Sequence, residues 1–381
     1  MRFPEFHGEW EKCKLGDIAT LTKGSGISKD QRSATGTPCI LYGELYTTYK
    51  SEVINYVVSK TDISDKNLVR SCANDIIIPS SGETAIDIST ARCVLSPDVL
   101  LGGDLNIIRL KDGDGRFFSY QLNGVRKHDI AKIAQGVSVV HLYGESIKGL
   151  TVSFPSNKEQ QKISTLLSLI DERIATQSKL IEDLMKLKSA IIEKLYSEIQ
   201  GKEYSYRQLF EIINERNNRL EFSNVLSASQ ERGMVSREDL NLDIKFERSN
   251  INTYKIVRSG DYVIHLRSFQ GGFAFSDIVG VCSPAYTIMR PKDLLEYGYL
   301  SYYFTSRQFI KSLVIVTYGI RDGRSINVDE WFDMKIVIPT KEQQRHIVRT
   351  IKVFENKIEN EEIYASCLLK QKQHLLRQMF I

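Results

Sequence analysis

Two long helix-forming stretches that resemble each other constrain the fold of this chain more than any other feature. The first runs from Lys158 to Gln200 without a glycine or proline, and the second begins at Lys341. In both stretches apolar residues fall alternately four and three positions apart, which is the spacing of a coiled-coil seam. The predicted seam residues are Ile163, Leu167, Ile170, Ile174, Ile181, Leu184, Ile191 and Leu195 in the first stretch, and Ile347, Ile351, Phe354, Ile358, Leu368, Leu375 and Met379 in the second.

Polar residues interrupt both seams at corresponding positions. Gln177 and Lys188 in the first stretch correspond to Glu361 and Lys372 in the second. A self-match with such interruptions in register is more specific than a shared heptad pattern, and it indicates a duplicated unit. We expect the two helices to pack antiparallel, so that the lysine stems lie against the facing helix and their ammonium groups reach outward.

The loop before each helix is also repeated. A proline precedes a Ser or Thr that can cap the helix, and the letters Lys-Glu-Gln-Gln follow in both copies. Aligning Lys158–Gln161 with Lys341–Gln344 leaves one residue missing from the second loop. On this basis the chain divides into a globular part at 1–155, a helix at 156–200, a globular part at 201–340 and a helix at 341–381.

Each globular part shows short strands bounded by turn residues, together with short helices, and this pattern is typical of an α+β domain. The first part predicts a strand and helix at 10–19, strands at 38–42, 53–58, 75–79, 106–110 and 150–154, and a helix at 117–132. The second part repeats this outline at 206–212, 260–264, 299–312 and 335–339. The loops between these elements differ between the two parts. Similar scaffolds with divergent loops are expected of two recognition modules with different specificities.

Composition excludes several classes of protein. The 381 residues carry a net charge of +4 and are 42% hydrophobic, as in an ordinary globular chain. No apolar run is long enough for a membrane span or a signal peptide, so we expect a cytoplasmic protein. The six cysteines and six histidines show no metal-ligand spacing, which argues against a zinc site or a disulfide framework.

Catalytic motifs are likewise not found. The chain has no Pro-Pro for an adenine methyltransferase motif, no GxxxxGK[ST] phosphate loop, and no Pro-Asp at a nuclease spacing before Asp243-Ile244-Lys245 or Asp333-Met334-Lys335. We therefore predict no catalytic, cofactor-binding or metal-binding residues in this chain.

Several loops instead carry side chains suited to base edges and phosphates. Each could be an ordinary surface turn, but such loops occur in both halves. The candidate DNA-binding residues are Tyr42, Glu44, Tyr46, Ser80, Ser81 and Arg92 in the first part, and Ser229, Gln230, Arg232, Arg267, Ser268, Gln270, Arg321 and Arg324 in the second.

The whole arrangement resembles the specificity (S) subunit of type I restriction-modification enzymes. The resemblance rests on the paired Pro and Lys-Glu-Gln-Gln segments, the paired helices, the opening Trp10–Ile18, and the run Leu266–Gly272 with Ser283–Tyr286 beyond it. It implies two target-recognition domains that read the halves of a bipartite, asymmetric DNA site. It also implies two modification (M) subunits that methylate adenine with S-adenosylmethionine, and restriction (R) subunits that use ATP and magnesium.

Two alternatives remain open from the sequence. A single-chain restriction-methylation enzyme would need catalytic motifs that we do not find. A coiled-coil scaffold protein without a nucleic-acid role would explain the helices but not the polar, divergent loops.

Overall fold

The chain forms two compact units. The structure is a computed structural model that describes residues 2–64, 67–229, 232–240, 248–265, 272–318 and 325–380. Unit 1 comprises Met1–Lys179 and Glu362–Ile381, and unit 2 comprises Leu180–Glu361. The division falls within both long helices, so each unit holds a part of each. Within these residues no helix is both long and apolar enough to cross a membrane.

Unit 1 contains twelve strands among its described residues. They are β1 (Glu11–Lys14), β2 (Ala19–Lys23), β3 (Thr37–Ile40), β4 (Val53–Ile54), β5 (Lys60–Thr61), β6 (Asp75–Pro79), β7 (Ser81–Gly82), β8 (Arg92–Val94), β9 (Leu100–Leu101), β10 (Leu105–Leu110), β11 (Val140–His141) and β12 (Thr151–Phe154). Its helices are α1 (Leu15–Ile18), α2 (Glu44–Thr47), α3 (Ala85–Ile88), α4 (Gly115–Asn123), α5 (Lys127–Ile133), α6 (Gly144–Lys148) and the first part of α7 (Asn157–Ser197).

The central sheet of unit 1 has the strand order β2-β10-β6-β8-β4. Every residue of β6 is buried, as expected of an apolar strand between two neighbours. The predicted strand at 53–58 shortens to Val53–Ile54, because only those two residues pair with β8. The predicted helix at 117–132 is two helices. Gly124 caps the first of them, and a β-carbon there would approach the Tyr120 carbonyl oxygen to 3.0 Å.

Unit 2 repeats this outline. Its described strands are β13 (Lys202–Ser205), β14 (Phe210–Ile213), β15 (Leu226–Ser229), β16 (Gly233–Ser236), β17 (Lys255–Val257), β18 (Tyr262–Ile264), β19 (Phe273–Phe275), β20 (Gly280–Cys282), β21 (Thr287–Pro291), β22 (Thr317–Tyr318), β23 (Ser325–Ile326) and β24 (Lys335–Ile338). Its helices are α8 (Tyr206–Leu209), α9 (Tyr299–Tyr303), α10 (Arg307–Ser312), α11 (Val328–Asp333) and the first part of α12 (Lys341–Met379). The main sheet has the order β14-β21-β18-β19.

An ion pair between an arginine and a buried aspartate links strands of the main sheet in both units. In unit 1, Arg109 on β10 donates to both carboxylate oxygens of Asp75 on β6 at 2.8 and 2.7 Å. In unit 2, Arg290 on β21 donates to both oxygens of Asp261, just before β18, at 2.9 and 3.0 Å. Both aspartates are 1% exposed. This repeated bidentate pair supports the predicted duplication of the globular parts.

Burial along the long helices follows the predicted seam. Every seam residue is buried or half-buried, whereas apolar residues off the seam such as Leu169 and Val353 are 57% and 66% exposed. Within unit 1, Ile163 and Met379 belong to one core, and within unit 2, Leu195 packs against the core that contains Ile347. In unit 1 the beginning of α7 therefore lies beside the end of α12. In unit 2 the end of α7 lies beside the beginning of α12. The paired segments thus run antiparallel.

The predicted outward direction of the seam lysines is wrong for Lys372. Its ammonium group lies 2.6 Å from Asp171 and also contacts Glu52, and the residue is only 9% exposed. The equivalent Lys188 lies 3.4 Å from Glu355, and its side chain is 29% exposed. The loop that carries Glu52 covers Lys372, which the helical spacing alone does not reveal.

The alignment of the Lys-Glu-Gln-Gln letters is also corrected. Gln160 donates to the Pro155 carbonyl at 2.8 Å, and Gln344 donates to the Pro339 carbonyl at 3.0 Å. Gln160 therefore corresponds to Gln344, although the letters pair Gln161 with it. No residue is missing from the second loop, because the structural repeat is uniform from the proline into the helix.

Candidate nucleic-acid interface

The loop of Ser80 and Ser81, which was predicted to contact DNA, lies beside strand β11. Ser80 and Ser81 follow the buried strand β6, and Ser81 pairs with His141 on β11. The Ser80 backbone donates to the Asp104 carbonyl at 2.7 Å and accepts from Leu142 at 2.9 Å. These bonds fix the loop at the end of the sheet. Ser80 is buried, whereas Ser81 is half-buried and therefore partly accessible to a ligand.

The tyrosines of the α2 segment are partly accessible. Tyr42 is 36% exposed, and Tyr46 is half-buried. Burial raises the pKa of Tyr46, and the nearby Tyr42, Asp87 and Glu83 raise this pKa further. Asp87 and Glu83 follow β7 in the sequence. The local charge is acidic, and carboxylates accept hydrogen bonds from base amino groups.

Glu44 was predicted to contact DNA, but its position argues against it. Its side chain is 6% exposed and accepts a hydrogen bond from the Leu41 backbone at 3.0 Å and another from the Ser59 hydroxyl. Arg32 lies 3.5 Å from the same carboxylate. Glu44 therefore holds its own loop together and presents no oxygen to a ligand.

Arg92 is also placed inside the protein. It is 8% exposed, and its guanidinium donates to the carbonyls of Tyr49 at 2.9 Å and Ala91 at 3.2 Å. Burial lowers the pKa of Arg92, and Glu52 opposes this change. The side chain sits among core groups, so direct contact with DNA is not supported for it.

The candidates of unit 2 fall partly outside the described residues. Ser229 ends β15, and its hydroxyl accepts from the Arg232 backbone at 3.3 Å at the turn before β16. Arg232 is exposed and available to a ligand. The remaining predicted residues lie outside the described part of the chain and stay predictions: Gln230, Arg267, Ser268, Gln270, Arg321 and Arg324.

One element of this surface was missed by the sequence analysis. Residues 135–141 form a hairpin beside β7, closed by two backbone hydrogen bonds between Gln135 and His141 at 2.9 and 2.7 Å. The His141 ring stacks on Tyr143, which is 48% exposed. The internal repeat could have revealed it, because the offset that aligns Ile163 with Ile347 also aligns this hairpin with the segment of Arg321.

We define the recognition surface of unit 1 by the exposed or half-buried residues of these neighbouring elements: Tyr42, Tyr46, Ser81, Val137, His141 and Tyr143. It combines aromatic faces, a hydroxyl and an imidazole on a rigid sheet end, and such groups can stack on or hydrogen-bond to bases. Among the described residues, no group of three His, Cys, Asp or Glu side chains is placed to hold a metal ion.

Comparison with known proteins gives a family match in the first half of the chain and relatives that align along most of it. The family described as "Type I restriction modification DNA specificity domain" matches residues 7–186. A putative type I restriction enzyme MjaX specificity subunit of Methanocaldococcus jannaschii is 23% identical, over 93% of this chain and 89% of its own. The MjaVIII specificity subunit of the same organism is 22% identical, over 94% and 90%.

Two solved structures share the fold. The type I restriction-modification S subunit from M. genitalium superposes with a TM-score of 0.59 at 16% identity, covering 100% of this chain and 99% of its own. A chain from a study of complex assembly and conformational transition of the type I R-M system gives a TM-score of 0.61 at 14% identity, with 98% of both chains covered.

Proposed function

Because a type I specificity domain matches residues 7–186 and specificity subunits align along most of the chain, we propose that this protein is a specificity subunit of a type I restriction-modification system. Its two globular parts would then each read one half of a bipartite, asymmetric DNA site. The chain is the specificity component and not itself the catalyst. Adenine methylation and DNA cleavage are then the work of partner subunits, which use S-adenosylmethionine, ATP and magnesium.

One observation carries this proposal. The two units share the Arg109–Asp75 and Arg290–Asp261 pairs and the same glutamine link between helix and proline. The sequences of their loops differ. A common scaffold with different loops suits two readers of different bases. An asymmetric site follows, because identical loops would read a palindrome.

The long helices support the proposed partners. Apolar side chains off the seam are exposed on both helices, among them Leu169, Leu187, Val353 and Ile363 at 47–66%. Contiguous exposed apolar patches mark protein–protein contacts, and these side chains are candidates for such patches. We propose that they receive two M subunits, and that R subunits join this complex. Action on DNA implies a cytoplasmic location.

Exchange of one globular part tests the proposal. Residues 201–340 would be replaced by the corresponding residues of a relative, the hybrid would be co-expressed with the M subunit, and methylated adenines in host DNA would be mapped by sequencing. We expect one half of the methylated site to change and the other to remain. The matched control exchanges residues 1–155 and should change the opposite half.

A hybrid that methylates the unchanged site would contradict the assignment of one half-site to each part. A scaffold without a DNA role predicts that neither exchange alters the methylated sequence.

A further inference from the structure

The hairpin at 135–141 presents an apolar side chain at the recognition surface of unit 1. Val137 at its tip is 98% exposed, and Val139 is 52% exposed. The two methyl groups of Val137 therefore have almost no contact with the rest of the protein. A β-branched side chain has few χ1 rotamers, so it loses little rotational freedom when it contacts a ligand.

The backbone holds this tip in a defined shape. Gln135 and His141 exchange two hydrogen bonds across the base of the hairpin. Gly136 has a φ of +125°, and a β-carbon there would lie 2.1 Å from the Val139 carbonyl oxygen. Only glycine fits this position without a shift of the backbone. These hydrogen bonds and the glycine therefore define the backbone conformation of the turn.

The hairpin is also placed beside the predicted DNA contacts. Its second arm, Val140–His141, pairs directly with Ser81–Gly82, and Tyr143 stacks on His141 just beyond it. A base edge that reaches Ser81 is within the same surface as the valine tip. The adjoining polar groups would position the base, and the valine would supply an apolar contact.

The chemistry of a valine side chain suits one particular base feature. Arginine pairs with the O6 and N7 atoms of guanine, whereas an apolar side chain contacts the 5-methyl group of thymine in the major groove.

We propose that Val137 reads the 5-methyl group of one thymine in the half-site bound by unit 1. The inference rests on the proposed function and names the base feature that this surface selects.

Replacing thymine by uracil tests this contact, because uracil lacks only the methyl group. The complex of the full chain with its M subunit would be titrated with duplexes in which each thymine of the mapped site is changed to uracil, one at a time. We expect one uracil in the half-site of unit 1 to weaken binding about fourfold, the effect of losing one buried methyl group. The Val137→Ala complex should bind the thymine and uracil duplexes equally.

Val125→Ala is the matched control, since Val125 is an exposed valine of the same unit outside the hairpin. It should keep the fourfold sensitivity, and all variants should melt like the parent. Three results would overturn the inference: no uracil-sensitive position in that half-site, a sensitivity that persists in Val137→Ala, or a sensitive position in the half that changes on exchange of residues 201–340. Failure to bind any specific site would overturn the proposed function instead.

Discussion

The ammonium group of Lys372 lies 2.6 Å from the carboxylate of Asp171, and this pair joins the two long helices within unit 1. Asp171 also accepts hydrogen bonds from Ser51 and Tyr120, both at 2.8 Å. Glu52 contacts the same ammonium group. The polar break in the seam is therefore a buried ionic cluster that ties the helices to the globular part.

Replacement of Lys372 by methionine should destabilise unit 1. The stem would still pack, but the carboxylates of Asp171 and Glu52 would remain buried without their cation. Loss of one partner from a buried ion pair costs about 3–5 kcal/mol. Urea denaturation of the purified chain measures this change in the free energy of unfolding.

Lys188→Met is the matched control for Lys372. Its partner Glu355 lies 3.4 Å away, and the two side chains are 29% and 38% exposed. Solvent screening reduces such a pair to about 0–1 kcal/mol. Equal losses at both lysines would show that burial of the cluster does not set its energy.

Glu52 should give unit 1 a characteristic dependence on pH. Burial raises the pKa of Glu52, while Lys372 lowers it, and the net direction is upward. A carboxyl with a raised pKa binds more protons when folded, so its contribution to stability falls as pH rises from its ordinary pKa of about 4.3 through the raised value. The stability of the parent relative to Glu52→Gln should decrease over this range. A constant difference between the two proteins would refute the upward direction.

The glutamine link at the start of α7 can be tested by two adjacent substitutions. Gln160 is 2% exposed, and its amide accepts from the Asp114 backbone at 3.0 Å while donating to Pro155. Gln160→Leu should cost about 1–3 kcal/mol, because two buried backbone groups lose their partner. Gln161 is exposed, and Gln161→Leu should stay within about 0.5 kcal/mol. Thermal unfolding compares them, and the opposite order would restore the alignment by letters.

Arginines of unit 2 should affect DNA recognition in one half-site. Alanine at Arg267 or Arg321 is expected to weaken binding by about 1–3 kcal/mol if the side chain contacts a base. The loss should then depend on the sequence of that half-site only, as measured by titration with mutated duplexes. A loss spread evenly over unrelated DNA would identify phosphate contacts.

Arg92→Met in unit 1 should affect stability and not DNA recognition. Because Arg92 is buried and bonded to backbone carbonyls, we expect lower stability with the same methylated sequence. A changed sequence in correctly folded protein would return Arg92 to the recognition surface.

The sequence alone was sufficient for the features that depend on local periodicity. Heptad spacing predicted one seam on each long helix, because helical geometry places residues with this spacing on one face whatever surrounds them. Strand β6 at 75–79 was predicted at its observed bounds, since a short apolar run between turn residues is typical of a buried strand. The duplication followed from self-similarity and needed no coordinates.

Tertiary structure decided which polar groups are accessible. Glu52 and Lys372 meet across 320 positions of sequence, so no local pattern could show that this lysine is buried. Arg92 and Glu44 have residue types suited to DNA, yet the packing of neighbouring loops encloses both. The correspondence of Gln160 with Gln344 likewise depends on which backbone groups need a partner, because hydrogen bonds follow spatial position rather than identical letters.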